Sequence, residues 1–402
     1  MKLTKITRLL GAVVFTLFVV AAAHAQCNDA MSEAVAYVAL PGHPFGTVSS
    51  PDGCWLFVSL LSSNPKSANG IALLKRGHGQ ITVKQVFAVE AEPTGITLTH
   101  DGKLLIAADG DYVVFLDTGR MIAGKGDPLL GYIKDGESPG SVYVNTTADD
   151  KFLFVSDENA ETITVIDLQK ARAEGFKPTA IVGKIPTGDA PIALTFSPDG
   201  RWLYTTSQIA PQSLNWPIEC KPEGADPATA KPRFPQGAII LVDVLKATTD
   251  PAHAAVAHVP AGCSPVRLDI SPDGQRVFVT ARNSNALLAF DTSKFQTDAM
   301  HARIATVPVG SSPVGVAVVN DGRQIIVTNS NRFARGQSVR QTMTVIDAAR
   351  VAEGQAAVLG SIPAGIFPRQ FGESPDHQTL FVANFISSEL EVLDLKRLPI
   401  SH

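Results

Sequence analysis

Apolar and polar residues alternate along this chain in short runs, and the runs return in a fixed phrase. Ser50-Pro51-Asp52-Gly53 precedes Trp55-Leu56-Phe57-Val58-Ser59, and His100-Asp101-Gly102 precedes Leu104-Leu105-Ile106-Ala107. Asp149-Asp150 leads into Phe152-Leu153-Phe154-Val155-Ser156, and Ser197-Pro198-Asp199-Gly200 into Trp202-Leu203-Tyr204. Ser271-Pro272-Asp273-Gly274, Asp321-Gly322 and Ser374-Pro375-Asp376 open the last three copies, before Val277–Thr280, Ile325–Asn329 and Leu380–Asn384. The seven turn aspartates lie 49, 48, 50, 74, 48 and 55 residues apart. An Asp-Gly turn between β-branched and aromatic runs is a hairpin signal. A third strand follows each hairpin and ends in Asp117, Asp167, Asp243, Asp291, Asp347 or Asp394, with Lys75 in the first copy. A fourth short strand, such as Ile181–Ile185, runs into a Gly-x-x-Pro step whose prolines are Pro44, Pro93, Pro139, Pro191, Pro265, Pro313 and Pro368.

Self-similarity at this period marks a repeat architecture. Four strands per unit and seven units predict an all-β fold, a seven-bladed β-propeller of four-stranded antiparallel blades. A lone blade leaves both faces bare, so residues 26–402 are expected to form one cooperative domain. The seventh copy runs out after Leu395, while Ala34–Leu40 is a strand without a blade. It is expected to supply the outer strand of blade seven and close the ring. These phrases, with Ile326-Val327-Thr328-Asn329 and Phe381-Val382-Ala383-Asn384 the nearest to Tyr-Val-Thr-Asn, resemble the YVTN family of seven-bladed propellers and the wider lactonase-like group. The resemblance spans residues 34–396 and implies the fold. It leaves function open, since that group includes exported proteins of unknown role, surface-layer proteins and cytoplasmic lactonases.

Composition adds a compartment. Lys2, Lys5 and Arg8 precede the apolar run Leu9–Ala23, and Ala23-His24-Ala25 offers the small-x-small step of a cleavage site, so residues 1–25 read as a signal peptide. Its three cations removed, formal charge moves from −4 to −7, which is no footprint for nucleic acid. No other apolar run approaches the length of a membrane span. A periplasmic or secreted monomer is expected, and nothing in the chain names a cofactor or metal. Four cysteines in such a chain allow disulfides. Cys220 and Cys263 fall on one face of the ring and Cys27 and Cys54 on the other, which predicts Cys220–Cys263 and Cys27–Cys54. Each bond typically contributes about 2–4 kcal/mol.

The repeats are their own reference for what is unusual. From turn aspartate to the end of the third strand, blades three, five and seven take 18 residues, blade four 44, blade six 26 and blade one 23. Every extension therefore joins second to third strands, on the face shared with the connections between blades, and such one-sided insertions mark a binding face. The blade-four insertion, about 209–236, carries Trp216 and Cys220 and is expected to be a lid with little regular structure. The blade-six insertion holds Arg332, Arg335 and Arg340 beside Phe333. On the inner strands, Arg267 and Arg369 replace small or apolar residues of the other blades, which makes them either ion pairs between blades or ligands for a carboxylate or phosphate. His43 and Glu92 precede their prolines at the rim, where Asp109, Asp157, Asn329 and Asn384 end second strands. Acid and amide groups there are either cation ligands or turn caps.

The chain lacks a GxSxG elbow, a phosphate loop and HExxH. It therefore reads as an exported propeller binding a small-molecule ligand or partner protein through its loop-rich face. The alternative is a lactonase- or lyase-type enzyme, its site at the channel mouth among His43, Glu92, Arg267 and Arg369.

Overall fold

The structure, a computed structural model, describes Cys27 and residues 31–62, 67–226, 228–333 and 339–401. The expected signal over 1–25, and Arg335, lie outside the described residues. Seven antiparallel sheets follow one another along the chain. Blade five is typical: Pro265–Ile270 is innermost, then Arg276–Ala281, Ala286–Asp291 and Arg303–Pro308. Inner strands touch the next blade's inner strand around a central channel. Blade seven is completed by Val35–Ala39, which pairs with Glu389–Asp394 from Val35↔Leu393 to Ala39↔Glu389. The seam is therefore a hydrogen-bonded ladder between the chain's two ends.

The core lies between blades. Phe57, Phe115, Phe154, Phe278, Phe290 and Phe381 on second and third strands are shut off from solvent, and burying each stabilises by roughly 1.5–3 kcal/mol. Clusters span neighbours: Ile106 and Phe115 of blade two pack with Leu153 and Val155 of blade three. This is the physical reason a single blade is insufficient.

The repeated polar residues do local work. In six blades a hydroxyl meets the turn aspartate two residues on, as Thr99 Oγ1 does Asp101 Oδ1 at 2.7 Å. That carboxylate also accepts the backbone N–H beyond the turn, as from Lys103 at 3.0 Å. Blade six has Val319 in place of the hydroxyl, and its turn runs through Asn320 and Asp321 at φ 54° and 56°. The third-strand aspartates serve as helix caps: Asp117, Asp167 and Asp243 accept the N–H three residues on and begin short helices. Blade one, with Lys75, has no such cap and turns tightly at His78-Gly79 into Gln80–Phe87.

One expectation gains detail and another needs correction. The blade-four insertion contains a two-stranded hairpin, Ile218–Cys220 with Phe234–Pro235. In blade three the residue standing where the other blades have their proline is Ser141, opposite Asp157, and not Pro139. The two residues past that position are therefore Val142 and Tyr143. Both predicted disulfides are present, Cys27–Cys54 with Cα atoms 4.9 Å apart and Cys220–Cys263 at 5.5 Å.

Candidate functional site

The inner strands start at the loop-rich face, so residues just past the prolines ring the upper channel. One residue past, the ring is Phe45, Thr94, Val142, Ile192, Val266, Val314 and Arg369. Two past, it is Gly46, Gly95, Tyr143, Ala193, Arg267, Gly315 and Gln370. Four small residues at this second level leave the channel to three large ones. The guanidinium of Arg267 lies over the Tyr143 ring at 4.2 Å, and Tyr143 Oη donates to Gln370 Oε1 at 2.8 Å. Blades three, five and seven thereby build a bar across the channel.

Above this bar is a cavity of about 340 Å³. Arg267, Arg282, Arg332, Arg369, Glu158 and Glu223 are its charged lining, with Gln208 beside them. Below it a second space of about 290 Å³ reaches Asp269, which accepts N–H bonds from Val318 at 2.7 Å and Ile270 at 2.8 Å. Burial lifts that carboxyl to about 6.

The arginines differ in how they are held. Arg282 is pinned by Glu223 through Nε at 2.6 Å and Nη2 at 2.7 Å, and its Nη2 also donates to Gln208 at 2.6 Å. Arg369 rests over Phe45 at 3.9 Å, with Phe385 and Phe367 at 5.4 and 5.5 Å. Neither Arg267 nor Arg369 has a hydrogen-bond acceptor for its side chain among the described residues, and the Nε of each is closed off from solvent. Their guanidinium ends keep contact with the cavity they line. Among the described residues neither has a carboxylate within ion-pair distance, although Glu158 acts on Arg369 from further off. Burial first, and then neighbouring arginines, pull both below the usual arginine range, Arg369 to about 9. Burial pushes the carboxyl of Glu158 up while Arg369, Arg282 and Arg332 oppose it.

The two insertions meet over this cavity. Cys220–Cys263 ties the blade-four loop to blade five, and Asn283 Nδ2 donates to the Lys221 carbonyl at 2.7 Å. That anchoring delivers Glu223 to Arg282. Gly224 lies against the Phe333 ring of the blade-six loop, where a Cβ would stand 3.1 Å from it.

Other residues singled out in the sequence are distributed unequally. Arg332 lines the cavity and lies over Phe333 at 5.1 Å. Trp216 is half-buried and packs on the apolar cluster that includes Phe45, Tyr143 and Phe367. His43 stacks on Phe385 at 4.8 Å with Nδ1 3.0 Å from Ser388 Oγ, one ring removed from Arg369 and outside the cavity lining. Glu92 is exposed in another sector, beside Asp109. The residues ending second strands turn into their own blades and do not converge on the mouth. Asp157 accepts from Lys184 at 3.0 Å, Asn329 donates to Thr342 and Thr344 at 3.0 Å, and Asn384 donates to Glu391 at 2.9 Å.

The next residue along faces the mouth instead: Glu158 and Arg282 each come one position after the strand end, and Gln208 holds the same place in blade four, within a strand that runs on to Ile209. Side chains of a strand alternate between faces, so a single step separates a structural residue from a cavity residue. Tyr143 was hidden by the two-residue slip of blade three, and Glu223 lies in a loop with no repeat to compare.

The fold and this site define a class: a seven-bladed β-propeller with a cationic chamber under its loop-rich face. No family model matches the chain, and no curated protein matches it. Among solved structures it is similar to a chain of Kuenenia stuttgartiensis hydrazine synthase, with a TM-score of 0.64 and 19% identity over 88% of this chain and 96% of that one. At that identity the likeness carries the fold alone.

Proposed function

We propose that this chain is an exported YVTN-type propeller that binds a small-molecule ligand or partner protein through its loop-rich face, with the arginine chamber as the pocket. One observation carries the reading. Arg267 and Arg369, each stacked on aromatic rings and without a side-chain acceptor among the described residues, line one cavity of about 340 Å³. Leaving such groups unpaired is costly unless something else meets them. A cavity of this size suits a metabolite, at the small end of ligand pockets. Two disulfides, and no helix among the described residues long and apolar enough to cross a membrane, fit an extracellular or secreted protein.

The lactonase- or lyase-type alternative rests on Glu158, whose burial-raised carboxyl faces the arginines and is a candidate general acid. Binding is preferred because the lining offers no nucleophile paired with a base.

Hydrogen exchange with and without a small-molecule extract of the expressing cells tests the face. Protection is expected around 209–236 and at Glu158, Gln208 and Arg282, and not at the Asp-Gly turns of the opposite face. Protection confined to those turns, or none anywhere, contradicts the reading.

A further inference from the structure

Five of the seven turns carry an Asp-Gly pair: Asp52-Gly53, Asp101-Gly102, Asp199-Gly200, Asp273-Gly274 and Asp321-Gly322. Such a pair has chemistry of its own. The glycine nitrogen, unshielded by a side chain, is placed to attack the aspartate Cγ and close a cyclic imide. What decides the outcome is how firmly the turn holds the carboxyl and the glycine N–H.

Four of the turns hold both. The Ser or Thr hydroxyl two residues earlier donates to the carboxylate of Asp52, Asp101, Asp199 or Asp273. The same oxygen accepts the backbone N–H two residues on, at 3.0 to 3.1 Å. The glycine N–H is used as well, donating to the carbonyl of that Ser or Thr at 2.7 to 2.9 Å. The hydroxyl bond, first among the causes, holds Asp199 and Asp273 below the usual carboxylate range and so disfavours the neutral acid that imide closure needs.

Blade six lacks every one of these restraints. Val319 stands in place of the hydroxyl, and the chain turns through Asn320 and Asp321 at φ 54° and 56°. The Asp321 side chain is 90% exposed, and its one partner among the described residues is the exposed Arg323, with Nη2 at 3.5 Å. The turn's carbonyl bond has moved on by one residue, from the Arg323 N–H to Asn320 at 3.2 Å. That leaves the Gly322 N–H with no backbone acceptor among the described residues. Gly322 is nevertheless required, since its φ is 81° and a Cβ would stand 2.8 Å from Pro272 Cδ. The reactive pair is thus retained while its protection is lost.

We infer that Asp321 is a self-modification site, which converts to isoaspartate through a cyclic imide with Gly322 while the other four Asp-Gly turns stay intact. The bond from Gly322 N to Asp321 Cγ forms as the Cγ–OH bond breaks, and the hydroxyl leaves as water with the amide proton. Water then adds to the Asp321 backbone carbonyl carbon and breaks its bond to the Gly322 nitrogen. The chain runs on through Cβ and Cγ, one methylene longer, and no oxidant or reductant takes part. The modified turn lies on the face away from the arginine chamber.

Incubating the whole folded protein in oxygen-18 water at mildly acidic pH, followed by tryptic peptide mapping, tests this. Each imide that reopens takes up one heavy oxygen, and the tryptic peptide 304–323 contains Asp321 as its only aspartate. Label and isoaspartate are expected to accumulate at Asp321 at least tenfold faster than at Asp52, Asp101, Asp199 or Asp273. In denaturant the five rates are expected to converge to within a few fold. Equal rates in the folded protein, or a faster rate at any of the other four, overturn the inference. The same tenfold preference in denaturant also overturns it, because the difference would then belong to local sequence and not to the turn. Val319→Ser, which returns a hydroxyl to the turn, is expected to slow the reaction at Asp321 severalfold, and an unchanged rate removes the missing hydroxyl as its cause. The comparison of five turns needs only the unmodified protein, so a variant that fails to fold leaves it standing.

Discussion

At the residue scale, buried carboxyls set how stability responds to pH. Asp135 and Asp157 are both closed off from solvent, and the Ser141 hydroxyl lies 2.9 Å from one and 3.3 Å from the other. Burial first, and the facing Asp157 second, push Asp135 up to about 7 from an ordinary 3.8. Between those values the folded protein holds a proton that the unfolded chain has released. Stability therefore falls as pH rises from about 4 to about 7 and levels off above. Asp109, Asp269 and Glu391, raised by burial to about 6, 6 and 7, act in the same direction. Asp135→Asn keeps a neutral hydrogen-bonding group, so its melting temperature is expected to fall less between pH 5 and pH 8 than that of the unmodified protein. An equal fall in both proteins would remove Asp135 from the account. The same scale explains what sequence could reveal about the site. Arg267 and Arg369 were visible because six other blades showed what normally stands there. Glu158 and Arg282 were not, because their neighbours Asp157 and Ala281 occupy the repeat's obvious end position and strand alternation sends adjacent side chains opposite ways.

At the element scale, the strands were legible because period-two patterning recurs seven times, whereas the short helices that Asp117, Asp167 and Asp243 cap were not read from the sequence. The blade-four insertion was legible in position and length but not in form. Its hairpin buries little, and its conformation depends on contacts made elsewhere: Cys263, Asn283, Arg282 and Phe333. The Cys220–Cys263 bond is accordingly the tether that holds Glu223 against Arg282. Replacing both cysteines with serine is expected to free the loop while the blades stay folded. Limited trypsin digestion reads this directly at the Arg233–Phe234 bond, since Lys221 and Lys231 each precede a proline and resist trypsin. Cleavage there should quicken severalfold with the Cys27–Cys54 bond untouched. Unchanged cleavage would mean that the loop is held by its packing, without need of the bond.

At the scale of the whole molecule, the ring separates two tasks. Stability comes from apolar faces packed between blades and from the seam strand Val35–Ala39. The channel is left polar and incompletely paired, and the departures from sevenfold repetition gather there. If Arg267 and Arg369 were ties between blades, removing them would loosen the ring. If they wait for a ligand, their charged forms are a burden on the empty protein, as the lowering of both below the arginine range indicates. The melting temperature of the ligand-free Arg267→Met/Arg369→Met double variant distinguishes these most directly. The account predicts a value equal to or above that of the unmodified protein. A fall of many degrees would contradict it, since the two arginines would then be holding the propeller together.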